Sequence, residues 1–256
     1  MLKIFSWNVN SVNARLENII QLINEQEPDI FLLQETKCED YKFPRGILED
    51  LGYNIATSGQ KSYNGVAILS RYRMDDISVR GFAGFESDAR YIEALVMVEG
   101  KCCRVASIYV PNGQAVLSQK FPKKLDYIDD LQQYLKSIDE YFIIGGDFNV
   151  AQEAMDLYDP VKFSNHLGFH TNERIKIHTI LDGNFKDSLR HLYPDKKVFT
   201  WWDYRDRFSF RRDRGWRIDY ILTNRVDNVK EAGVFRDTRE WTRPSDHAPV
   251  FCKISL

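Results

Sequence analysis

The sequence predicts an α/β fold in which two β-sheets pack together and helices cover each sheet. Its 256 residues, 43% of them hydrophobic, are enough to bury a large core. Amphipathic helical segments alternate with short apolar segments that are typical of buried strands. Two pairs of segments also resemble each other, Phe5–Asn10 with Ile144–Val150 and Gly65–Ser70 with Arg217–Leu222. This similarity indicates an internal duplication, with the ends of the repeated strands at one edge of the sheets.

The strands are predicted from short apolar runs, several of which end in polar residues. In chain order they are Leu2–Val9, Asp29–Gln34, Val66–Ser70, Ile92–Val98, Arg104–Val110, Tyr141–Gly145 and the strand-like run Arg217–Leu222. A further buried strand is expected directly after Asp246 and His247.

Two amphipathic helices are predicted between these strands. The first has apolar residues at helical spacing, and Pro28 stops it. Its apolar positions are Leu16, Ile19, Ile20 and Ile23. The apolar positions of the second are Phe121, Leu125, Ile128, Leu131 and Leu135.

No Pro/Gly/Ser-rich linker or low-complexity run interrupts the chain, so residues 1–256 are expected to form one domain. No apolar run is long enough to span a bilayer, and the N-terminus lacks the layout of a signal peptide. We therefore expect no membrane association. The four cysteines form no C-x-x-C pair, which argues against zinc or a disulfide framework and fits a reducing cytoplasm. No spare apolar face predicts a partner subunit, so a monomer is expected.

The charge balance excludes a broadly basic protein. The net charge is −2 and the isoelectric point is near 6.2, whereas proteins that bind nucleic acid through a wide surface are often basic. A function on nucleic acid therefore requires a local site.

Glu35 follows the predicted strand Asp29–Gln34, so its carboxylate emerges at a strand end. Oxygen ligands with few carboxylates suit Mg²⁺, which keeps much of its water. Asn8, Asn10 and Asp246 are candidates to join Glu35 around such an ion. The alternative is that Glu35 only pairs with Lys37 or caps a turn.

Asp147 and Asn149 alternate with Phe148, which predicts that the two polar side chains share one face and the ring enters the core. A carboxylate beside an amide can hold and deprotonate a water while contacting a substrate oxygen. The alternative is an Asp-x-Asn turn cap.

Asp219 lies within an apolar strand-like run, where a carboxylate is costly to bury without a partner. His247 is the candidate partner, since a hydrogen bond to Asp219 would fix its tautomer and keep it protonatable. A salt bridge to Arg217 or Arg225 is the structural alternative. Neighbouring residues on extended chain face opposite ways, so His247 and Asp246 can serve separate tasks in one pocket.

Tyr109 and Asn112 end another predicted strand and present a phenol and an amide together. Both groups can hydrogen-bond a phosphate or a leaving oxygen. A tyrosine at a strand end usually only packs, so this motif is weak by itself.

The segment Trp201–Arg217 is rich in aromatic and basic residues. Arginine contacts phosphates, and aromatic faces can meet sugars or exposed bases. The segment therefore predicts the local basic patch that the net charge conceals. In the alternative interpretation it is a solvated loop, partly neutralised by Asp206 and Asp213.

Six of these motifs occur together in a fixed order. They are SWNVN (Ser6–Asn10), LQETK (Leu33–Lys37), YVPNG (Tyr109–Gly113), GDFN (Gly146–Asn149), WRID (Trp216–Asp219) and SDHAPV (Ser245–Val250). The set closely resembles the exonuclease III family of apurinic/apyrimidinic endonucleases, within the larger endonuclease/exonuclease/phosphatase group. The resemblance covers essentially the whole chain.

The resemblance implies a four-layer αββα sandwich of two mixed sheets with a pseudo-two-fold duplication. It also implies roles for the motif residues. Glu35 would be the principal Mg²⁺ ligand, with Asn8, Asn10 and Asp246 near the ion. Asp147 would activate or position the attacking water, helped by Asn149. His247 oriented by Asp219, together with Tyr109 and Asn112, would hold the phosphate and stabilise its transition-state charge.

The implied activity is hydrolysis of the phosphodiester 5′ to an abasic site in double-stranded DNA, and removal of nucleotides or blocking groups from 3′ ends. The cofactor would be Mg²⁺, with Mn²⁺ as a substitute. Trp201, Trp216 and Ile218 resemble the family's apolar pocket for a flipped-out, base-less sugar. Arg90 falls where such enzymes often contact a DNA phosphate.

Some points stay open at this stage. The uncharged Asn10 weakens the case for a tightly bound second metal, so one Mg²⁺ is favoured. The segment from Asp156 to His178 matches the family less clearly, which leaves the balance between endonuclease and exonuclease activity undecided. A phosphomonoesterase or phospholipid hydrolase with the same metal site, and a catalytically silent nucleic-acid-binding module, are the competing interpretations.

Overall fold

A computed structural model describes all 256 residues of the chain. It contains two six-stranded sheets and five α-helices. In each sheet one central pair of strands is parallel and the remaining neighbours are antiparallel. Both sheets are therefore mixed, as predicted.

The first sheet has the strand order β11-β12-β1-β2-β4-β3. Its strands are β1 (Leu2–Asn8), β2 (Ile30–Gln34), β3 (Asn54–Ser58), β4 (Val66–Ser70), β11 (Val229–Val234) and β12 (Val250–Ile254). The helices α1 (Leu16–Gln26) and α2 (Arg45–Asp50) cover its outer face, because their buried side chains join one cluster with those of β1, β2 and β4.

The second sheet has the strand order β5-β6-β7-β8-β10-β9. Its strands are β5 (Met74–Val79), β6 (Tyr91–Val98), β7 (Lys101–Tyr109), β8 (Phe142–Asp147), β9 (Lys186–Asp187) and β10 (Asp219–Thr223). The helices α3 (Lys120–Lys136) and α4 (Thr171–Asp182) pack on its outer face. A short helix, α5 (Ser188–Leu192), follows β9.

The two sheets pack face to face around a cluster of 22 buried residues that both sheets supply. Alternation along each strand creates this layering: Ile4 faces the other sheet, whereas Phe5 and Trp7 face the helices. The result is the predicted four-layer αββα sandwich.

The duplication is also present, but one of its predicted pairings is wrong. Chain order and strand order make β4 the counterpart of β10, as predicted. They make β8 the counterpart of β2, since each follows a helix and pairs in parallel with the strand before that helix. The similarity of the β1 and β8 sequences does not reflect equivalent positions. It arises because both strands end in the same cleft with an Asp or Asn side chain.

The predicted stripe on α3 needs a correction as well. Phe121, Ile128, Leu131 and Leu135 are buried, but Leu125 is only half-buried, and the buried positions also include Lys124 and Tyr127. The charge at Lys124 is explained by its partners, described below.

No helix of the chain has the length and hydropathy needed to cross a membrane. All four cysteines are unpaired. Cys102 is exposed and its neighbour Cys103 is buried, as the alternation along a strand predicts.

Candidate active site

The polar strand ends of both sheets meet in one cleft of about 750 Å³. The strands β1, β2, β7 and β8 end at this edge. β10 begins there, because it runs antiparallel to β8 and pairs Asp219 with Asp147. β12 begins there too, since it runs antiparallel to β1. The cleft therefore collects groups that are far apart in the sequence.

The deepest part of the site contains Asp147, Asp219 and His247, each at most 4% exposed. The Nδ1 atom of His247 lies 2.9 Å and 3.1 Å from the two carboxylate oxygens of Asp219. Its Nε2 atom lies 3.7 Å from an oxygen of Asp147. Asp219 therefore orients the ring so that Nε2 faces Asp147 and the cleft.

The alternative salt bridge of Asp219 with Arg217 or Arg225 is not observed. Arg217 is buried and turns away from Asp219 to pair with two other carboxylates, Asp156 at 2.7 Å and Asp187 at 2.5 Å. Arg225 forms no ion pair with Asp219. His247 is the only cationic group paired with this carboxylate.

Burial and mutual charge shift the protonation equilibria here. Burial raises the pKa of Asp147 to about 7, although the charge on His247 opposes the rise and Asp219 adds to it. Burial alone would lower the pKa of His247. The carboxylates of Asp219 and Asp147 outweigh it and raise the pKa of His247 to about 10. At neutral pH the ring is an imidazolium and Asp147 exchanges its proton readily, as expected of an acid and base pair at a functional site.

Asn8 connects the deep group to Glu35. Its amide nitrogen donates to Glu35 Oε1 at 2.8 Å and to Asp147 Oδ2 at 2.9 Å. Its amide oxygen accepts from the backbone N–H of Asn10 at 3.1 Å. In this arrangement Asn8 fixes two carboxylates and has its oxygen engaged, so it acts as a spacer more readily than as a ligand.

Glu35, Asn10 and Asp246 form an oxygen-rich group on one side of the cleft. Lys37 Nζ lies 2.8 Å from Glu35 Oε2 and 2.5 Å from Asn10 Oδ1. Asn10 Nδ2 donates to Asp246 Oδ1 at 3.0 Å, and Trp201 Nε1 donates to the other oxygen of Asp246 at 3.1 Å. The ion pair of Glu35 with Lys37, one of the alternatives from the sequence, is therefore present within the wider group.

This oxygen set fits a hard cation. The ammonium of Lys37 already contacts oxygens of Glu35 and Asn10, so the group accommodates positive charge. Burial alone would raise the pKa of Glu35, but Lys37 and the hydrogen bond from Asn8 hold it below its ordinary value, so the carboxylate stays ionised. Carboxylate and amide oxygens are ligands that Mg²⁺ accepts.

A second set of groups also has the spacing of metal ligands. The ligand atoms of Asp147, Asp219 and His247 lie within 4.8 Å of one another. A protonated imidazole cannot donate to a metal, and the high pKa of His247 keeps it protonated at neutral pH. The Glu35 side of the cleft is therefore the better cation site.

The backbone around these groups is strained. Asn10, Glu35, Lys37 and Asn149 all adopt positive φ, between 47° and 54°. Non-glycine residues rarely enter this region, and such outliers cluster at functional sites. Glu35 and Asn149 line the cleft, and Asn10 and Lys37 lie beside Glu35 through the Lys37 contacts.

Asn149 and Asn112 form a second polar wall. Asn112 Nδ2 donates to Asn149 Oδ1 at 3.1 Å, and the Asn149 backbone N–H donates to Asp147 Oδ1 at 2.8 Å. Phe148 is buried in the core, as predicted. Tyr109 lies nearby, and burial together with the charges of Glu35 and Asp147 raises its pKa well above the usual range. Its hydroxyl therefore stays protonated and able to donate.

Arg90 lies just outside the main cleft. It lines an adjoining groove of about 460 Å³ that shares Tyr109 and Asn112 with the cleft. Its guanidinium pairs with Asp88 at 2.8 Å and lies 4.8 Å from the centre of the Tyr109 ring. The two grooves form a continuous path along the Tyr109 wall.

Trp201, Trp216 and Ile218 form an apolar wall that adjoins Asp246 and His247. The Trp201 and Trp216 rings meet edge to face at 6.3 Å, and Phe163 packs against Trp216 at 5.0 Å. Ile218 belongs to the same cluster. The sequence did not single out Phe163, which lies in the Asp156–His178 segment together with His166, Leu167 and Gly168 of the same cleft. The aromatic and glycine residues of that segment were the sequence feature that could have indicated its place in the cleft.

The predicted aromatic and basic patch is smaller than expected. Trp202 is fully buried in a separate core with Phe199 and Ala248, so its face cannot meet a sugar or base. Arg217 is buried as described, and Arg205, Arg214 and Arg236 pair with Asp203, Asp206 and Asp213. The exposed arginines of the segment that have no carboxylate partner are Arg207, Arg211 and Arg212.

Comparison with known proteins agrees with this geometry. The model of the endonuclease/exonuclease/phosphatase family matches residues 5–247. The exodeoxyribonuclease III of Haemophilus influenzae is 34% identical over 269 residues, covering 98% of this chain and 99% of its own. An AP endonuclease from Archaeoglobus fulgidus has a TM-score of 0.94 at 35% identity, and a Neisseria 3′ phosphatase bound to a product DNA hairpin has a TM-score of 0.93 at 36% identity. Each of these two alignments covers 100% of this chain and 100% of the other structure.

The fold and the site define a nuclease, a hydrolase with acidic groups that can hold a metal ion. The chain belongs to the endonuclease/exonuclease/phosphatase family. The resemblance found in the sequence motifs is thereby confirmed.

Proposed function

We propose that the protein is a Mg²⁺-dependent DNA repair nuclease that hydrolyses the phosphodiester 5′ to abasic sites and also removes nucleotides or blocking groups from 3′ ends. The observation that carries this proposal is that a polar catalytic group and an apolar wall line one cleft. An acid and base pair, Asp147 and His247, lines the same cleft as the apolar wall of Trp201 and Trp216. The names of the relatives support both activities.

In the proposed reaction Asp147 holds the attacking water and accepts its proton, which its pKa near 7 permits at neutral pH. The backbone N–H of Asn149 donates to one Asp147 oxygen, and the side-chain amide of Asn8 donates to the other. These two hydrogen bonds fix the orientation of the carboxylate. The products are a 3′-hydroxyl and a 5′-deoxyribose phosphate.

His247 faces the other side of the scissile phosphate. Its imidazolium donates from Nε2 to a phosphoryl oxygen, while Asp219 holds Nδ1 and retains the charge. Tyr109 and Asn112 donate further hydrogen bonds to the phosphate. Such preorganised donors stabilise charge that develops in the transition state.

Glu35 is proposed as the main Mg²⁺ ligand, with Asp246 and Asn10 beside it and Asn8 as the spacer to Asp147. When bound, Mg²⁺ supplies positive charge that offsets the negative charge of the phosphate oxygens. Mn²⁺ accepts the same oxygen ligands and is the expected substitute.

Selection of an abasic site follows from the apolar wall. A nucleotide that lacks its base is unstacked at low cost, and a pocket bounded by Trp201, Trp216 and Ile218 admits the bare sugar more readily than a sugar with a base. Arg90 is proposed to contact a DNA phosphate along the adjoining groove. Double-stranded DNA is therefore the proposed partner.

We further propose that the whole chain, residues 1–256, acts as one catalytic domain, which the core shared by both sheets supports. Unpaired cysteines favour the reducing cytoplasm as its compartment. A monomer is proposed because the cleft is built from one chain alone.

The test is product analysis on a duplex that contains a tetrahydrofuran abasic analogue, with and without Mg²⁺. The expected result is a nick 5′ to the analogue, lost on addition of EDTA and strongly reduced for Asp147→Asn. Parallel duplexes with a 3′-phosphate and a blunt end measure the activities on 3′ ends. Cleavage of a phosphomonoester or phospholipid without any DNA cleavage would instead support the competing hydrolase.

A further inference from the structure

A fully buried ammonium lies behind the polar wall of the cleft. Lys124 of α3 is 0% exposed. Its Nζ donates to the backbone carbonyl of Asn149 at 2.8 Å, to the backbone carbonyl of Asn112 at 3.2 Å, and to Glu173 Oε1. An ammonium has three protons to donate, so each one has an acceptor.

The partner carboxylate connects this ammonium to the loop that packs against the apolar wall. Glu173 of α4 is also 0% exposed, and its second oxygen accepts from the backbone N–H groups of Gly168 at 2.7 Å and His170 at 3.1 Å. Gly168 lies against Trp216, because a Cβ at this residue would be 3.1 Å from the Trp216 ring. The carboxylate therefore holds the loop on which the apolar wall rests.

Holding α3 and α4 together does not require this pair. Lys176 and Asp129 already form a partly exposed salt bridge between the same two helices at 2.5 Å. Taking two charges out of water is expensive, and well-packed apolar residues often stabilise a core equally well. What the buried pair adds is directional contacts to backbone groups of the Asn112/Asn149 wall and of the adjoining loop at Gly168 and His170.

We propose that Lys124 and Glu173 form a positioning pair that sets the distance between the Asn112/Asn149 wall and the loop 166–170. This inference rests on the proposed function and identifies which buried residues set the geometry of its site. Asn112 and Asn149 bond to each other through their side chains, so the two carbonyl contacts fix them as a unit. Movement of the pair displaces the phosphate-binding wall relative to the sugar pocket.

The test compares three variants of the full-length protein. Lys124→Met/Glu173→Gln removes both charges together and leaves an amide oxygen for Gly168, so no lone charge stays buried. Glu173→Gln alone keeps Lys124 but leaves its buried ammonium without a carboxylate partner, so the rates of this variant are compared per folded molecule. Lys176→Met is the matched control, since it removes a salt bridge between the same helices without touching the cleft.

We expect the double variant to lose at least about tenfold in kcat on the abasic duplex, because a misplacement of about 1 Å costs on the order of 100-fold. Mg²⁺ affinity should change little, since Glu35 and Asp246 contact neither Lys124 nor Glu173. Glu173→Gln should also lose kcat per folded molecule, because the loop 166–170 loses its charged acceptor, and Lys176→Met should match the wild type.

Hydrogen exchange supplies a readout that does not depend on catalysis. The backbone N–H of Ala151 donates to the carbonyl of Gly168 at 2.7 Å. Peptides containing Gly168, His170 and Ala151 should therefore exchange faster in the double variant and in Glu173→Gln than in Lys176→Met. The inference is overturned if kcat falls only in proportion to the folded fraction, or if exchange at these residues is unchanged in both variants. Absence of cleavage by the wild type would count against the proposed function, while the exchange comparison would still decide the positioning role.

Discussion

The Nε2 atom of His247 lies 3.7 Å from a carboxylate oxygen of Asp147, inside a site that excludes almost all solvent. A ring that retains its proton up to about pH 10 thus faces a carboxyl group that loses its proton near pH 7. Between pH 7 and pH 10, Asp147 is a carboxylate and His247 is an imidazolium, which are the forms that the proposed mechanism uses. Four predictions test this arrangement and the groups around it.

Asp147→Asn should lower kcat by about 10²- to 10⁴-fold, the usual contribution of a general base. It should also stabilise the fold. The folded-state pKa of Asp147 is raised above its ordinary 3.8, so wild-type stability falls as pH rises from about 4 towards 7. An amide cannot ionise, so the variant should gain up to about 3 kcal/mol by pH 6.5.

The measurement is thermal unfolding in EDTA between pH 4 and 6.5, below the titration of an ordinary histidine. The difference in Tm between variant and wild type should grow with pH. A difference that is independent of pH would contradict the raised pKa of Asp147.

The pH dependence of cleavage should be bell-shaped. The rate rises as Asp147 deprotonates around pH 7 and falls as His247 deprotonates around pH 10. Asp219→Asn removes the charge that contributes most to holding the proton on His247, so the falling limb should move to lower pH. Asp203→Asn is the control, because Asp203 lines the same cleft but pairs with Arg205. A falling limb that stays in place in Asp219→Asn would exclude His247 as its origin.

Glu35→Gln should raise the Mg²⁺ concentration that supports half-maximal cleavage by at least about tenfold, since loss of one carboxylate removes much of the attraction for a hard cation. Calorimetric titration of Mg²⁺ on the same variant gives the affinity without DNA. If the metal dependence is unchanged in Glu35→Gln but altered in Asp219→Asn, the ion binds at the alternative group of Asp147, Asp219 and His247.

Trp216→Ala should reduce cleavage at an abasic analogue more than release of a terminal nucleotide, because only the former needs the apolar wall. The substitution also costs about 3–5 kcal/mol of stability, so rates are compared per folded molecule. Trp202→Phe is the control, since Trp202 is buried in a different cluster. Equal losses on both substrates would contradict the assignment of Trp216 to the pocket for the abasic site.

The sequence predicted those parts of the site that follow from local rules. Polar residues at the ends of apolar strands must face one edge, which located Glu35, Asp147 and Asp246. A carboxylate in an apolar strand needs a partner, which left His247, Arg217 and Arg225 as candidates; the family resemblance favoured His247, and this pairing is observed. The shared edge and the need for a partner follow from burial and strand periodicity alone.

The remainder depends on contacts between distant segments. Lys124 has the sequence context of a surface residue, and only the carbonyls of Asn112 and Asn149 and the carboxylate of Glu173 account for its burial. Trp202 and Trp201 are adjacent, yet one is in a core and the other borders the cleft. Composition does not distinguish such neighbours, since tertiary packing decides which of them is buried.

The strand β1 lies between β2 and β12, although Ser6 of β1 pairs with Val250 of β12, 244 positions later in the chain. During synthesis on a ribosome, β1 therefore emerges long before its antiparallel neighbour. His247 and Asp246 immediately precede that late strand. A nascent chain consequently has no complete active site until the residues through β12 have been synthesised.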